Sequence, residues 1–139
     1  IRMERHFENA IKVAEFLSKH DQVERVQFAG LSDSRWHERA KTYGNGKGYG
    51  SVPAFIIKGG AKAGEKFVNS LQLHSHVANI GDVRSLVIHP ASTTHSQLTE
   101  EEQKSTGVES GLVRLSVGLE TIDDIIDDLE YGFSCVKNI

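Results

Sequence analysis

The chain has 139 residues, 38% of them apolar and 25% charged, with a formal net charge of -3. This is one domain's worth of ordinary globular composition, and its near-neutral balance gives no electrostatic case for nucleic acid or an anionic membrane. No apolar run approaches the roughly 20 residues of a spanning helix, and the single cysteine, Cys135, excludes an intrachain disulfide.

In chain order, Phe7, Ile11, Ala14 and Leu17 recur at helical spacing and predict an amphipathic helix over residues 3–19. VERVQFAG, Val23 to Gly30, alternates and predicts a strand. SDSRWHERAKTY predicts a short helix capped by Ser32 or Asp33. GNGKGYG, Gly44 to Gly50, is a loop by composition, and VPAFIIK, Val52 to Lys58, is a strand that tolerates Pro53 at its start. Ala63, Phe67 and Leu71 mark a further helix after the Gly59-Gly60 punctuation, and LQLHSHVANIGD is mixed and short-stranded. SLVIH, Ser85 to His89, is a strand ended by Pro90. Thr99 and Glu102 form a capping box that opens a helix. GLVRLSVGLE, Gly111 to Glu120, is a strand. The last helix opens at Thr121 with a stripe of Ile122, Ile125, Ile126, Leu129 and Phe133. Intermixed helices and strands with short connections predict an α/β fold: a small α+β sandwich with helices on one face of a sheet.

Three features bear on chemistry. GNGKGYG suggests a phosphate loop, but a strand follows it and no G-K-[ST] occurs, so a surface hairpin is the better reading. His74 and His76 stand two apart in a region that also holds His89 and His95, but no cysteine or spaced carboxylate completes a metal set. Histidines bonded to backbone or placed near an anion account for them better. Arg114 interrupts an apolar strand, where an unpaired charge is costly. Alone it reads as an ion pair or an edge residue. The hydroxyl-rich HPASTTHSQ and the turn ANIGD, with Asn79, supply groups that orient a guanidinium and share a bound carboxylate.

SLVIHPASTTHSQLTEEEQKSTGVESGLVRLSVGLETIDDIIDDL resembles the C-terminal domain of the Cys/Met-metabolism pyridoxal-phosphate enzymes, and RHFENAIKVAEFLSKHDQVERVQFAGL and AFIIKGGAKAGEKFVNSLQL resemble the segments before it. ANIGD, where cystathionine lyases have Ser-Leu-Gly-Gly, points to the O-acetylhomoserine sulfhydrylase branch. The resemblance implies a mainly antiparallel sheet of the fold-type I kind. It implies a γ-replacement in methionine biosynthesis in which O-acetylhomoserine loses acetate and sulfide adds at Cγ to give homocysteine. In that reading Arg114 grips the substrate α-carboxylate, Asn79 lies beside it, and Thr94 helps place the arginine. Ser85 and His89 are weaker candidates.

The family's large domain, which carries the cofactor lysine, has no counterpart here, and none of the nine lysines sits in a matching motif. Residues 1–139 are therefore expected to be one domain, a substrate-binding wall that is inactive alone. Pyridoxal phosphate is expected in the full-length enzyme but not covalently on this chain. The implied partners are the large domain and further copies in a homo-oligomer. The start at Ile1, running straight into a helix, reads as a piece of something longer, and the cytoplasm is the expected compartment. Two alternatives stand beside this reading: a free-standing small-ligand module that kept the arginine, and an assembly module using the acidic last helix.

Overall fold

Strand β5 (Leu112–Ser116) organises the molecule. Its residues alternate, so Val113 and Leu115, followed by Val117, point to one face and are fully buried, while Leu112, Arg114 and Ser116 point to the other. The computed structural model describes residues 1–137 and 139, with the side chains of Glu100 and Lys104 outside the description. Around β5 lie β1 (Val23–Gln27), β2 (Ala54–Ile57), β3 (Ser75–His76) and β4 (Leu86–Ile88). They form a five-stranded sheet in the order β1-β2-β5-β4-β3. Every neighbouring pair is antiparallel except β3 with β4. The mainly antiparallel α+β sandwich is the observed fold class.

Helices α1 (Arg2–Lys19), α3 (Gly60–Ser70) and α5 (Ile122–Ser134) cover the face of Val113 and Leu115. Ala10, Val13, Ala14 and Leu17 of α1 meet Phe67 of α3 and Ile125, Leu129 and Phe133 of α5, all fully buried. Phe55, Phe67 and Phe133 cluster at the centre, with ring centroids 4.7–5.8 Å apart, which adds aromatic pairing to the area each ring buries.

The expected stripe of α1 is turned in the structure. Phe7 and Ile11 are half-buried, whereas His6 and Asn9 are buried. The reason is polar. His6 Nδ1 donates to the carbonyl of Val117 (2.6 Å), and Asn9 Nδ2 donates to those of Gly118 and Glu120 (3.0 Å each). These side chains satisfy a chain segment that has left the sheet and has no strand partner.

Other boundaries also move. The first strand ends at Gln27, because Leu31 bonds back to Phe28 in a turn. Helix α2 (His37–Tyr43) begins later than Ser32 or Asp33 would place it. Successive turns occupy 31–37, and Ser34 Oγ accepts the amide of Trp36. Leu71 is extended and ends α3. Pro90 opens a short 3-10 turn, Pro90–Ser92. Helix α4 (Glu100–Ser105) carries the capping box, with the Thr99 amide and hydroxyl both donating to Glu102 Oε2 (2.8 and 2.9 Å). Helix α5 opens after Thr121 as expected, but the Thr121 side chain makes no cap bond.

Candidate functional site

Arg114 sits at the middle of the sheet, opposite Ala54 of β2 and Ile88 of β4, on the face away from α1, α3 and α5. The β alternation that sends Val113 and Leu115 into the core sends Arg114 the other way. It is half-buried, and among the described residues its guanidinium makes one hydrogen bond, from Nη2 to the carbonyl of Asn79 (3.4 Å). Among the described residues no carboxylate pairs with it. A guanidinium has five N–H donors in a planar fork. Most of that fork is uncommitted, in a position suited to gripping a carboxylate from outside the chain.

The expected neighbours fall into two groups. Asn79 is brought to Arg114, but through its backbone; its side-chain oxygen accepts the Ile80 amide (2.8 Å). Thr94 is exposed in the turn after the 3-10 segment, bonded to the His95 ring (2.9 Å), and among the described residues no hydrogen bond joins it to Arg114. Ser85 and His89 are buried and committed to the fold. The Ser85 hydroxyl donates to Glu120 Oε2 and accepts from the Gly118 amide (2.9 Å each). His89 Nε2 donates to the Ser110 carbonyl (2.7 Å), which leaves Nδ1 to accept the Ser92 hydroxyl (2.8 Å). His74 and His76 do not share a face: His74 is buried against α5 and His76 is exposed.

Two carboxylates matter that the sequence reading passed over. Asp128 of α5 accepts the amides of Gln72 (2.7 Å) and His74 (3.0 Å) and the Nδ1–H of His74 (2.7 Å). Burial alone pushes this carboxyl up; the bonds from the His74 ring and from the Gln72, His74 and Leu73 amides outweigh it and hold the pKa at about 2. Glu120 accepts the Ser85 amide (2.6 Å) besides its hydroxyl. The signal for Asp128 was its position, three residues after Ile125 and beside Leu129 on the apolar stripe. Nearby, Arg84 and Asp82 pair on the surface (3.3 Å), and the Arg84 side chain holds the Asp82 carboxyl below its usual value.

Two clefts lie elsewhere. One of about 910 Å³ is lined by Arg25, Phe28, Trp36 and Tyr49, among others. One of about 430 Å³ lies between Leu73 and Asp124, Asp127 and Tyr131 of α5. Neither is lined by Arg114.

The family described as Cys/Met metabolism PLP-dependent enzyme matches residues 1–134. The chain is 58% identical over 136 residues to O-acetyl-L-homoserine sulfhydrylase of Corynebacterium glutamicum, covering 98% of this chain and 31% of that protein. It is 51% identical over 132 residues to L-methionine gamma-lyase of Fusobacterium nucleatum, covering 95% of this chain and 33% of that protein. A crystal structure assigned as an O-acetylhomoserine (thiol)-lyase from Campylobacter jejuni superposes with a TM-score of 0.85 at 39% identity, over 96% of this chain and 31% of that one. The chain thus spans about a third of the length of the relatives it matches. The Campylobacter structure carries a pyridoxyl-lysine phosphate outside the matched part. The described residues of this chain do not themselves fit that group. A lysine that forms a Schiff base is desolvated or set beside another cation, whereas every lysine with a described side chain here is exposed.

Proposed function

The chain belongs to the Cys/Met metabolism pyridoxal-phosphate-dependent enzyme family, and from that premise we propose that it is the C-terminal, substrate-binding domain of an O-acetylhomoserine sulfhydrylase. Its part in the reaction is to bind the α-carboxylate of O-acetylhomoserine through Arg114 while sulfide replaces acetate at Cγ to give homocysteine. Cofactor chemistry belongs to the remainder of the enzyme, and the isolated chain is inactive. The observation that carries the reading is the uncommitted Arg114 fork at the centre of the sheet, with no internal carboxylate among the described residues.

Surface character supports a partner on that side. Val77, Ile80 and Val83, in the segment that reaches Arg114, are 47%, 59% and 44% exposed. Apolar groups exposed within one short segment fit a protein contact, here the rest of the longer chain in a homo-oligomeric enzyme of the cytoplasm. Among the described residues no helix is long and apolar enough to cross a membrane.

The test is Arg114→Lys in the full-length enzyme. Lysine keeps the charge and loses the fork. Each lost charge-assisted bond is worth about 1.5–3 kcal/mol, so kcat/KM falls by on the order of 10- to 1000-fold while cofactor absorbance is unchanged. An unchanged kcat/KM with impaired folding refutes the assignment. The 51% identity to a methionine γ-lyase favours a second reading, elimination without sulfide capture. Thiol release from methionine without sulfide, exceeding homocysteine formation from O-acetylhomoserine, selects it.

A further inference from the structure

The segment from Gln72 to Ser85 carries Asn79 to Arg114, yet its middle is exposed from His76 to Gly81. Little apolar packing holds it, and β3 contributes only two residues. Backbone bonds from the Ser75 amide to the Ser85 carbonyl (3.0 Å) and from the Leu119 amide to the Val83 carbonyl (2.8 Å) tie it to the sheet side, and two carboxylates clamp its ends. At the first end, Asp128 takes the Gln72 amide, the His74 amide and the His74 ring at 2.7–3.0 Å. At the second, Glu120 takes the Ser85 amide and hydroxyl at 2.6 and 2.9 Å, and that hydroxyl receives the Gly118 amide. Both carboxylates follow Arg114 in the chain, and both are tied to the core. Asp128 belongs to α5. The carbonyl of Glu120 is held by Asn9 and Arg5 of α1. Gly118 allows the close approach: a Cβ there would lie 2.5 Å from the Arg84 carbonyl carbon and the Ser85 nitrogen.

We propose that Glu120 and Asp128 are positioning residues for the carboxylate site, clamping the two ends of segment 72–85 so that the Asn79 carbonyl meets Arg114 in a fixed orientation. Neither touches substrate; each acts through the segment. The role rests on the reading of Arg114 given above. With either end released, the Asn79 carbonyl no longer aims the guanidinium, and the fork loses the pre-set orientation that bidentate binding requires. The fold itself stays, because the helix-covered core is built from other residues.

Steady-state kinetics of the full-length enzyme test this with Glu120→Ala, Glu120→Gln, Ser85→Ala and Arg114→Lys, alongside melting temperatures. Glu120→Ala raises KM for O-acetylhomoserine by about tenfold or more, the scale of a lost charge-assisted bond. The sulfide KM stays within about twofold, since sulfide has no carboxylate to orient. Glu120→Gln keeps an acceptor for the Ser85 amide and recovers part of the loss. Ser85→Ala, a smaller change, shifts the same KM in the same direction and serves where Glu120→Ala does not fold. A lowered melting temperature with an unchanged KM for O-acetylhomoserine in Glu120→Ala or Ser85→Ala overturns the proposal while Arg114→Lys still impairs binding. If Arg114→Lys is also without effect, the carboxylate reading has failed and this one falls with it.

Discussion

The two faces of β5 are made of alternate residues in one five-residue strand, and they behave as different materials. On one side Val113 and Leu115 are sealed under three helices with no exposed surface. On the other, Arg114 stands half-buried, its guanidinium bonded among the described residues to one backbone carbonyl. The covered face is close-packed: removing a buried group leaves a cavity that its neighbours only partly fill. The open face rests on one fork and on the segment that aims it. Stability is therefore expected to respond to substitutions on the first face, and binding to substitutions on the second.

The sharpest way to break that division is on the covered side. Leu129→Ala removes a fully buried side chain of α5 and should cost about 2–5 kcal/mol by urea unfolding, through lost transfer energy plus the cavity. A cost below about 1 kcal/mol means that the helix layer is not packed as described. Arg114→Lys, in contrast, should leave the unfolding midpoint nearly unchanged, since it removes no described ion pair.

Asp128 lies between the two regimes, being both buried and polar. Asp128→Ala strands the Gln72 and His74 amides and the His74 ring, and should cost about 3 kcal/mol. Its pH dependence has a definite sign. The folded pKa of about 2 lies below the unfolded value of 3.8, so the native state binds this proton less readily. The stabilisation is complete above the unfolded value and is lost as pH falls through about 2. In acid titrations followed by circular dichroism, wild type should lose about 2 kcal/mol more than Asp128→Asn between pH 5 and pH 2. Parallel acid curves would show that the carboxylate does not hold the segment.

The smallest expected effect is on the periphery. Thr99→Ala removes the hydroxyl of the capping box at α4 and should cost about 1 kcal/mol. Because α4 lies outside the three-helix layer, amide exchange should accelerate within residues 100–105 and leave α5 untouched. Faster exchange throughout would make α4 part of the cooperative core.

Sequence alone reached most of the covered face. Period-two and helical spacings are direct records of burial, so Val113, Leu115, Leu129 and Phe133 were legible, as were the capping box at Thr99 and the singular Arg114. Boundaries were less so. Ser32 and Asp33 have capping chemistry, but turns at 31–37 delay α2, because local propensity does not record where the chain must go next. The tertiary structure alone decided the partners of the polar residues. His6 and Asn9 turn inward because the segment just after β5 presents carbonyls to them from 109–111 residues away. Thr94 bonds its neighbour, and Asn79 meets Arg114 by its carbonyl rather than its side chain. Asp128 and Glu120 look in sequence like surface acids of an acidic helix and a strand end. They become anchors only when the fold brings Gln72, His74 and Ser85 to them, across separations of 35 to 56 residues. Apolar burial is averaged over a whole face and leaves a periodic imprint in the sequence. A hydrogen bond depends on two particular atoms meeting, and distant residues carry no local sign of that meeting.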